Sequence, residues 1–415
     1  MEERMLFNLP AEKGRWILVC LGLLINLCLG TIYSWSVFVA PLTDYFVNSL
    51  GQTVTAGEIL MPFSVFLACF AITMLFAGKY VEEWGPRNAT IAGGILTGAG
   101  WMLASVVSSV GMLYLVYGVI GGIGVGIAYG VPVAVAARWF PDRRGLAVGL
   151  TVLGFGFSAF VTANLADVLI AGFGVMNTFR IFGIAFIVLI VLFALPLRFP
   201  PADWKPAGFT PPKGEENEYC EFTRDRMFKT KTFYGLWICY FIGCTAGLMA
   251  ISIAKPVGSE VAGVAPALGT MLIGFFAIFN GGGRPVFGLL TDRLNPSNAA
   301  ILSFVLIAAA SSAIWLSPNV PVYIVSFAIL WGCLGGWLAI APAATGRYFG
   351  TCDYPRCYGV VFLAYGAGAM AGPQIAGFIR TTTGDYTGVF PYVAVLSIAG
   401  IVVAWLFMKV PNKSE

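Results

Sequence analysis

Two stretches of this chain, residues 88–137 and 294–346, hold no charged side chain over 50 and 53 positions. A hydrocarbon layer about 30 Å thick is crossed by about 20 apolar residues in a helix. Each block is too long for one crossing and predicts a helical hairpin, turning near Ser108-Ser109-Val110-Gly111 and Ser317-Pro318-Asn319-Val320-Pro321. Within lipid only helices and closed barrels satisfy every backbone polar group. A barrel would show alternating segments of about 10 residues, so unbroken apolar blocks exclude it. Composition agrees: 58% of 415 residues are hydrophobic and 11% charged, where a soluble domain carries about 25% charged.

The remaining charges divide the chain into twelve predicted helices, an all-α integral membrane protein. They fall at 16–40, 57–79, 88–108, 111–137, 145–171, 176–197, 232–257, 264–290, 298–316, 320–346, 357–380 and 386–408. Lysine and arginine mark the cytoplasmic side. Placing both termini there leaves only Arg180, Lys255 and Arg380 on the outer side and Arg284 within a span. The short charged tail Met1–Arg15 leads directly into the first helix and reads as uncleaved. The one sizeable polar segment predicts a linker over 199–231 between an N-terminal bundle, 1–198, and a C-terminal bundle, 232–415. A net charge of +4 marks no nucleic-acid partner. With no histidine and no CxxC pair, neither a metal site nor another cofactor is expected.

The two predicted bundles repeat one another. Gly78-Lys79-Tyr80-Val81-Glu82-Glu83-Trp84-Gly85-Pro86-Arg87 corresponds to Gly288-Leu289-Leu290-Thr291-Asp292-Arg293-Leu294-Asn295-Pro296-Ser297 at an offset of 210 residues. Arg138-Trp139-Phe140 corresponds to Arg347-Tyr348-Phe349 at 209. Two six-helix halves in the same orientation form the parallel repeat of major facilitator carriers, whose substrate site lies near mid-membrane between them. The 2–3 loop resembles that family's G-x-L-x-D-R-x-G-R-R signature, with Glu82 where an aspartate is usual. The resemblance implies gating roles for Gly78, Glu82, Arg87, Asp292 and Arg293; the alternative is a basic loop that merely sets topology.

A narrower resemblance rests on Arg138-Trp139-Phe140-Pro141-Asp142-Arg143-Arg144-Gly145 and on Asn280-Gly281-Gly282-Gly283-Arg284-Pro285. Both are similar to signatures of monocarboxylate transporters and of bacterial oxalate/formate-type antiporters. The likeness spans essentially the whole chain and implies a bacterial inner-membrane carrier working as a monomer. Gly368 to Gly377 resembles an antiporter G-x-x-x-G-P motif, but lies in helix eleven and reads as packing.

Arg284 is the candidate that sequence alone singles out. A charge near the bilayer centre costs about 2.5–3.5 kcal/mol on insertion scales, so such residues face a cavity or a partner. No carboxylate lies within four residues of it on its helix. A planar guanidinium grips a carboxylate with two parallel bonds, which lysine does not. The competing role is an ion pair to an acid on another helix. Asn280, one turn earlier, either reads a hydroxyl or keto group or ties two helices together. The resemblance places Tyr33, Tyr129 and Tyr365 toward the cavity, with Phe155 and Leu334 as apolar walls; packing is the ordinary alternative for each. Oxalate carriers have a second cation at the position aligned with Tyr365, and its absence here suits a single carboxylate.

The expected function is alternating-access transport of a small monocarboxylate of the lactate or pyruvate type, together with a proton carried on Asp167 or Glu58 or on the substrate itself. The alternative is a carboxylate exchanger. A membrane enzyme would need a nucleophile, a metal or paired acids at a cavity, and a channel would need a continuous polar path.

Overall fold

A computed structural model of the chain describes residues 5–201, 204–206, 223–350 and 353–411. The middle of the expected linker, 207–222, and the extreme termini, 1–4 and 412–415, lie outside the described residues. Two very long helices, Ala56–Ala104 and Arg144–Ala194, are each broken by one glycine in a positive-φ conformation, Gly85 (φ 76°) and Gly174 (φ 78°). Divided there, the described chain forms twelve helical legs. The first six are α1 (Ala11–Ser49), α2 (56–84), α3 (86–104), α4 (Val110–Trp139), α5 (144–173) and α6 (175–194). The last six are α7 (Lys231–Glu260), α8 (Pro266–Leu294), α9 (Pro296–Leu316), α10 (Val320–Phe349), α11 (Tyr354–Thr383) and α12 (Val389–Phe407). Large apolar side chains such as Val168, Leu316, Phe378 and Val395 stand exposed on the outside, as a lipid-facing surface requires.

The corners reproduce the sequence repeat. Gly85 (φ 76°, ψ 164°) and Asn295 (φ 73°, ψ 161°) share one unusual conformation, and each is followed by a proline that opens the next helix. These corners are single residues, so the expected eight-residue loop between the second and third helices is absent. Helix α2 runs through Gly78 and Glu82 up to the corner, which places those residues on a helix end. Helix α1 also exceeds its expected bounds at both ends. It contains a 3-10 turn, Gly30–Ser34, and ends in a π-helical turn, Tyr45–Ser49.

The halves meet along two seams, α2 against α11 and α5 against α8. Small residues let the backbones close up there. Gly377 lies on Gly57, Gly366 on Ala71 and Gly359 on Leu75, from one end of the first seam to the other. Gly368 and Gly372 press α11 onto Cys244 and Thr245 of α7, so the G-x-x-x-G-P-like segment serves as packing surface.

Candidate substrate site

Helix α8 delivers Arg284 through its glycines. Gly283 rests on the carbonyl of Gly332, and Gly335 rests on the carbonyl of Asn280, so α8 and α10 touch backbone to backbone. On the face toward α5, Arg284 is 6% exposed and its Nη1 donates to the carbonyl of Val152 at 2.6 Å. Its Nε and Nη2 have no partner. Those two nitrogens form the side-on edge of the guanidinium, with two parallel N–H groups. No acid from another helix closes on this cation among the described residues.

Asn280 is fully buried, and its Nδ2 donates to the carbonyl of Trp331 at 3.0 Å, tying α8 to α10. The carbonyl of Trp331 fixes the amide orientation and leaves Oδ1 turned away, without a partner. Opposite stands Gly156 of α5. A Cβ there would lie 2.8 Å from Asn280 Oδ1 and 3.1 Å from Arg284 Nε. Gly156 therefore lets α5 close directly over Arg284 and Asn280. Nothing in its sequence context separates it from the other helix glycines, and sequence reasoning missed it.

Arg284 also borders a tightly closed aromatic chamber, with no room for even a water molecule in this conformation. Tyr33, Tyr129, Phe155 and Tyr365 all line it, and so do Phe70, Leu338 and Phe362, which were not anticipated. Phe362 lies three residues before Tyr365, a helical spacing that could have pointed to it. The hydroxyls of Tyr33 and Tyr365 bond at 2.8 Å, joining α1 to α11 across the halves. Phe155 meets Tyr33 edge-on at 5.1 Å. Phe70 stands among Tyr129, Phe155 and Phe362 at 5.2 to 5.9 Å. Leu334 is not part of the wall; it packs on Gly247 of α7, one turn behind Leu338.

The remaining candidates stand apart from the chamber. Asp167 of α5 is paired with Lys255 of α7 at 2.7 Å, a bond between the halves. Glu58 caps α2, accepting from the Thr55 amide at 2.7 Å. At the opposite ends of the helices Glu82 reaches Arg138 at 3.6 Å, and Arg87, Asp292 and Arg293 are exposed. The segment after α4 cages Arg15 of α1, whose Nη1 and Nη2 bond both oxygens of Asp142 at 2.6 and 2.9 Å. The same guanidinium donates to the carbonyl of Trp139 and lies 4.3 Å over the ring of Phe140. Hydrogen bonding to Arg15 holds the carboxyl of Asp142 below its ordinary value.

Two six-helix halves closed around a buried, half-unpaired cation have the arrangement of a membrane transport protein. The chain belongs to the Major Facilitator Superfamily, whose profile matches residues 22–345 and 236–415, and it is a transporter rather than an enzyme. It is 29% identical over 382 residues to the oxalate:formate antiporter of Oxalobacter formigenes, covering 89% of this chain and 86% of that one. To monocarboxylate transporter 12 of Xenopus laevis it is 25% identical over 414 residues, covering 94% and 88%. A D-xylose–proton symporter crystal structure superposes with a TM-score of 0.70 at 13% identity, covering 96% and 98%, which establishes the fold alone.

Proposed function

We propose that the chain moves a small monocarboxylate of the lactate or pyruvate type by alternating access, with a proton as co-substrate. The carrying observation is the free Nε–Nη2 edge of buried Arg284. Leaving a cation unpaired in a desolvated site is costly, and one carboxylate answers both donors at once. A single cation suits a single carboxylate. The chamber is shut in this conformation; opened around a substrate, its rings would suit a short apolar tail, with Tyr33, Tyr129 and Tyr365 around it and Phe155 and Leu338 as walls. The names of the relatives, an oxalate:formate antiporter and a monocarboxylate transporter, support the substrate class.

In the same proposal, units 1–198 and 232–415 rock about the bound anion, joined through 199–231. The basic face with both termini is cytoplasmic in a bacterial inner membrane, and the monomer is the working unit. Gly78, Glu82, Arg87, Asp292 and Arg293 belong to the gate on that face. Asp167 is the better of the two proton carriers, because a proton there would cancel its pairing with Lys255, whereas one on Glu58 would only weaken a helix cap.

Uptake of labelled L-lactate into proteoliposomes tests the proposal. Saturable uptake stimulated by an inward proton gradient is expected. Arg284→Lys keeps the charge but loses the fork, and should weaken apparent affinity about 10- to 150-fold, the equivalent of about 1.5–3 kcal/mol for bonds to a charged group. Saturable uptake surviving in Arg284→Ala would defeat the assignment. Because one relative is an oxalate:formate antiporter, exchange is the second reading; uptake only into vesicles preloaded with another acid would select it.

A further inference from the structure

Tyr33 sits on the one 3-10 turn of α1, Gly30–Ser34, whose own backbone bonds are supplemented by hydroxyls of α5. The α-helical ladder of α1 ends where the Gly30 amide bonds the carbonyl of Asn26. The next carbonyl, that of Leu27, loses its amide partner as the pattern tightens. Ser158 of α5 donates to that carbonyl at 2.6 Å. At the far end of the turn, Ser34 and Thr162 of α5 share a hydroxyl bond at 2.7 Å. Thr162 itself donates to the carbonyl of Ser158 at 3.0 Å, so Ser34 is the donor of that pair. The three hydroxyls thus run in one direction, Ser34 to Thr162 to the Ser158 backbone, with the Ser158 hydroxyl closing on Leu27. Ser34 and Ser158 are fully buried and Thr162 nearly so. Gly30 completes the fit, because any side chain there would strike the backbone of Phe155.

Helical geometry gives this a consequence. A 3-10 turn advances 120° per residue and an α-helix 100°. Were Gly30–Ser34 to relax to the α form, Tyr33, its fourth residue, would swing by roughly 80° relative to the preceding helix. Its hydroxyl would then leave Tyr365, to which it is now bonded at 2.8 Å beside Arg284.

We propose that Ser158 and Thr162 are positioning residues for the substrate: they hold α1 in its 3-10 turn and so aim the Tyr33 hydroxyl into the Arg284 chamber. The part that concerns substrate rests on the monocarboxylate assignment above; the part that concerns the turn does not. Two measurements on the purified full chain therefore separate them. Amide exchange over Gly30–Ser34 needs no substrate and should quicken about tenfold or more in Ser158→Ala and in Thr162→Val while the rest of α1 stays protected; exchange unchanged in both overturns the proposal. L-lactate binding should weaken about three- to tenfold in Tyr33→Phe and by a similar factor in Ser158→Ala. The double variant should be no weaker than either alone, because both changes remove the same aimed hydroxyl. Losses that multiply in the double variant would mean that Ser158 acts only through general packing, and would overturn the positioning role. Absence of lactate binding by the wild type, together with quickened exchange in the Ser158→Ala and Thr162→Val variants, would refute the substrate assignment and leave the held turn standing.

Discussion

At the scale of single residues, the site depends as much on what is missing as on what is present. Gly156 lets α5 close onto Arg284 Nε and Asn280 Oδ1, and a methyl group at 2.8 Å from Oδ1 could only be accommodated by moving one of them or the two helices. Under the proposed function, Gly156→Ala is therefore expected to reduce lactate affinity about tenfold or more and also to lower the melting temperature, because overpacking the α5–α8 contact costs about 1–3 kcal/mol; isothermal titration beside a melting curve checks both. A second residue-scale prediction concerns Asp142. Its carboxyl is bonded by Arg15 and held below the ordinary value of 3.8. A depressed pKa means that the folded state favours the ionised form, so the stabilisation is complete well above 3.8 and fades as pH falls through the lowered folded value. The melting temperature of the wild type should exceed that of Asp142→Asn by a constant margin at about pH 6–8 and converge on it below about pH 4. A margin independent of pH would show that the contact is not electrostatic.

Among the elements, the corners carry the clearest energetic statement. Gly85 and Asn295 occupy nearly the same dihedral angles, in a region that is all but reserved for glycine. Asparagine tolerates it at position 295 while its side chain caps the next helix by accepting from the Asn298 amide at 3.0 Å. Gly85→Ala has no such compensation and should cost about 1–3 kcal/mol, read as a lower melting temperature; Asn295→Gly should be close to neutral, because relieved strain offsets the lost cap. The twelve helices and the buried Arg284 were legible in the sequence as contrasts between charge and lipid, and the repeat at 210 residues as motifs recurring at one offset. The 3-10 turn of α1 was not legible, since Gly30, Thr31 and Ser34 are common inside membrane helices and the hydroxyls that help hold the turn sit on a helix 124 or more residues away. Gly156 and Phe70 were hidden for a related reason. Their importance comes from facing Arg284 or its chamber across a helix interface, and no spacing within one helix encodes that.

For the whole molecule, the ion pair between Asp167 and Lys255 is expected to bias the balance between the two faces. It joins α5 of one half to α7 of the other at 2.7 Å, with Lys255 19% and Asp167 41% exposed at the side chain. On the same face Gly377 seats on Gly57, and Arg380 bonds Glu260 at 2.8 Å within the second half. At the basic face the ion pairs seen among the described residues stay within one half, as Arg15 does with Asp142 and Arg138 with Glu82. Opening toward the face of Lys255 must therefore break a charge pair, whereas opening toward the basic face breaks apolar contacts such as Leu75 on Gly359. A partly exposed pair is worth about 1 kcal/mol or less in water, yet that is enough to shift two states of similar energy about fivefold. Asp167→Asn and Lys255→Gln should each widen the distance between spin labels placed at Gly172 of α5 and Leu268 of α8, by raising the population open on that face. The charge-swapped double variant, Asp167→Lys with Lys255→Asp, should return the distance distribution toward that of the wild type. If instead both single variants leave the distribution unchanged, the pair is a passive surface contact, and the closure of this face rests on the packed seams of α2 with α11 and α5 with α8.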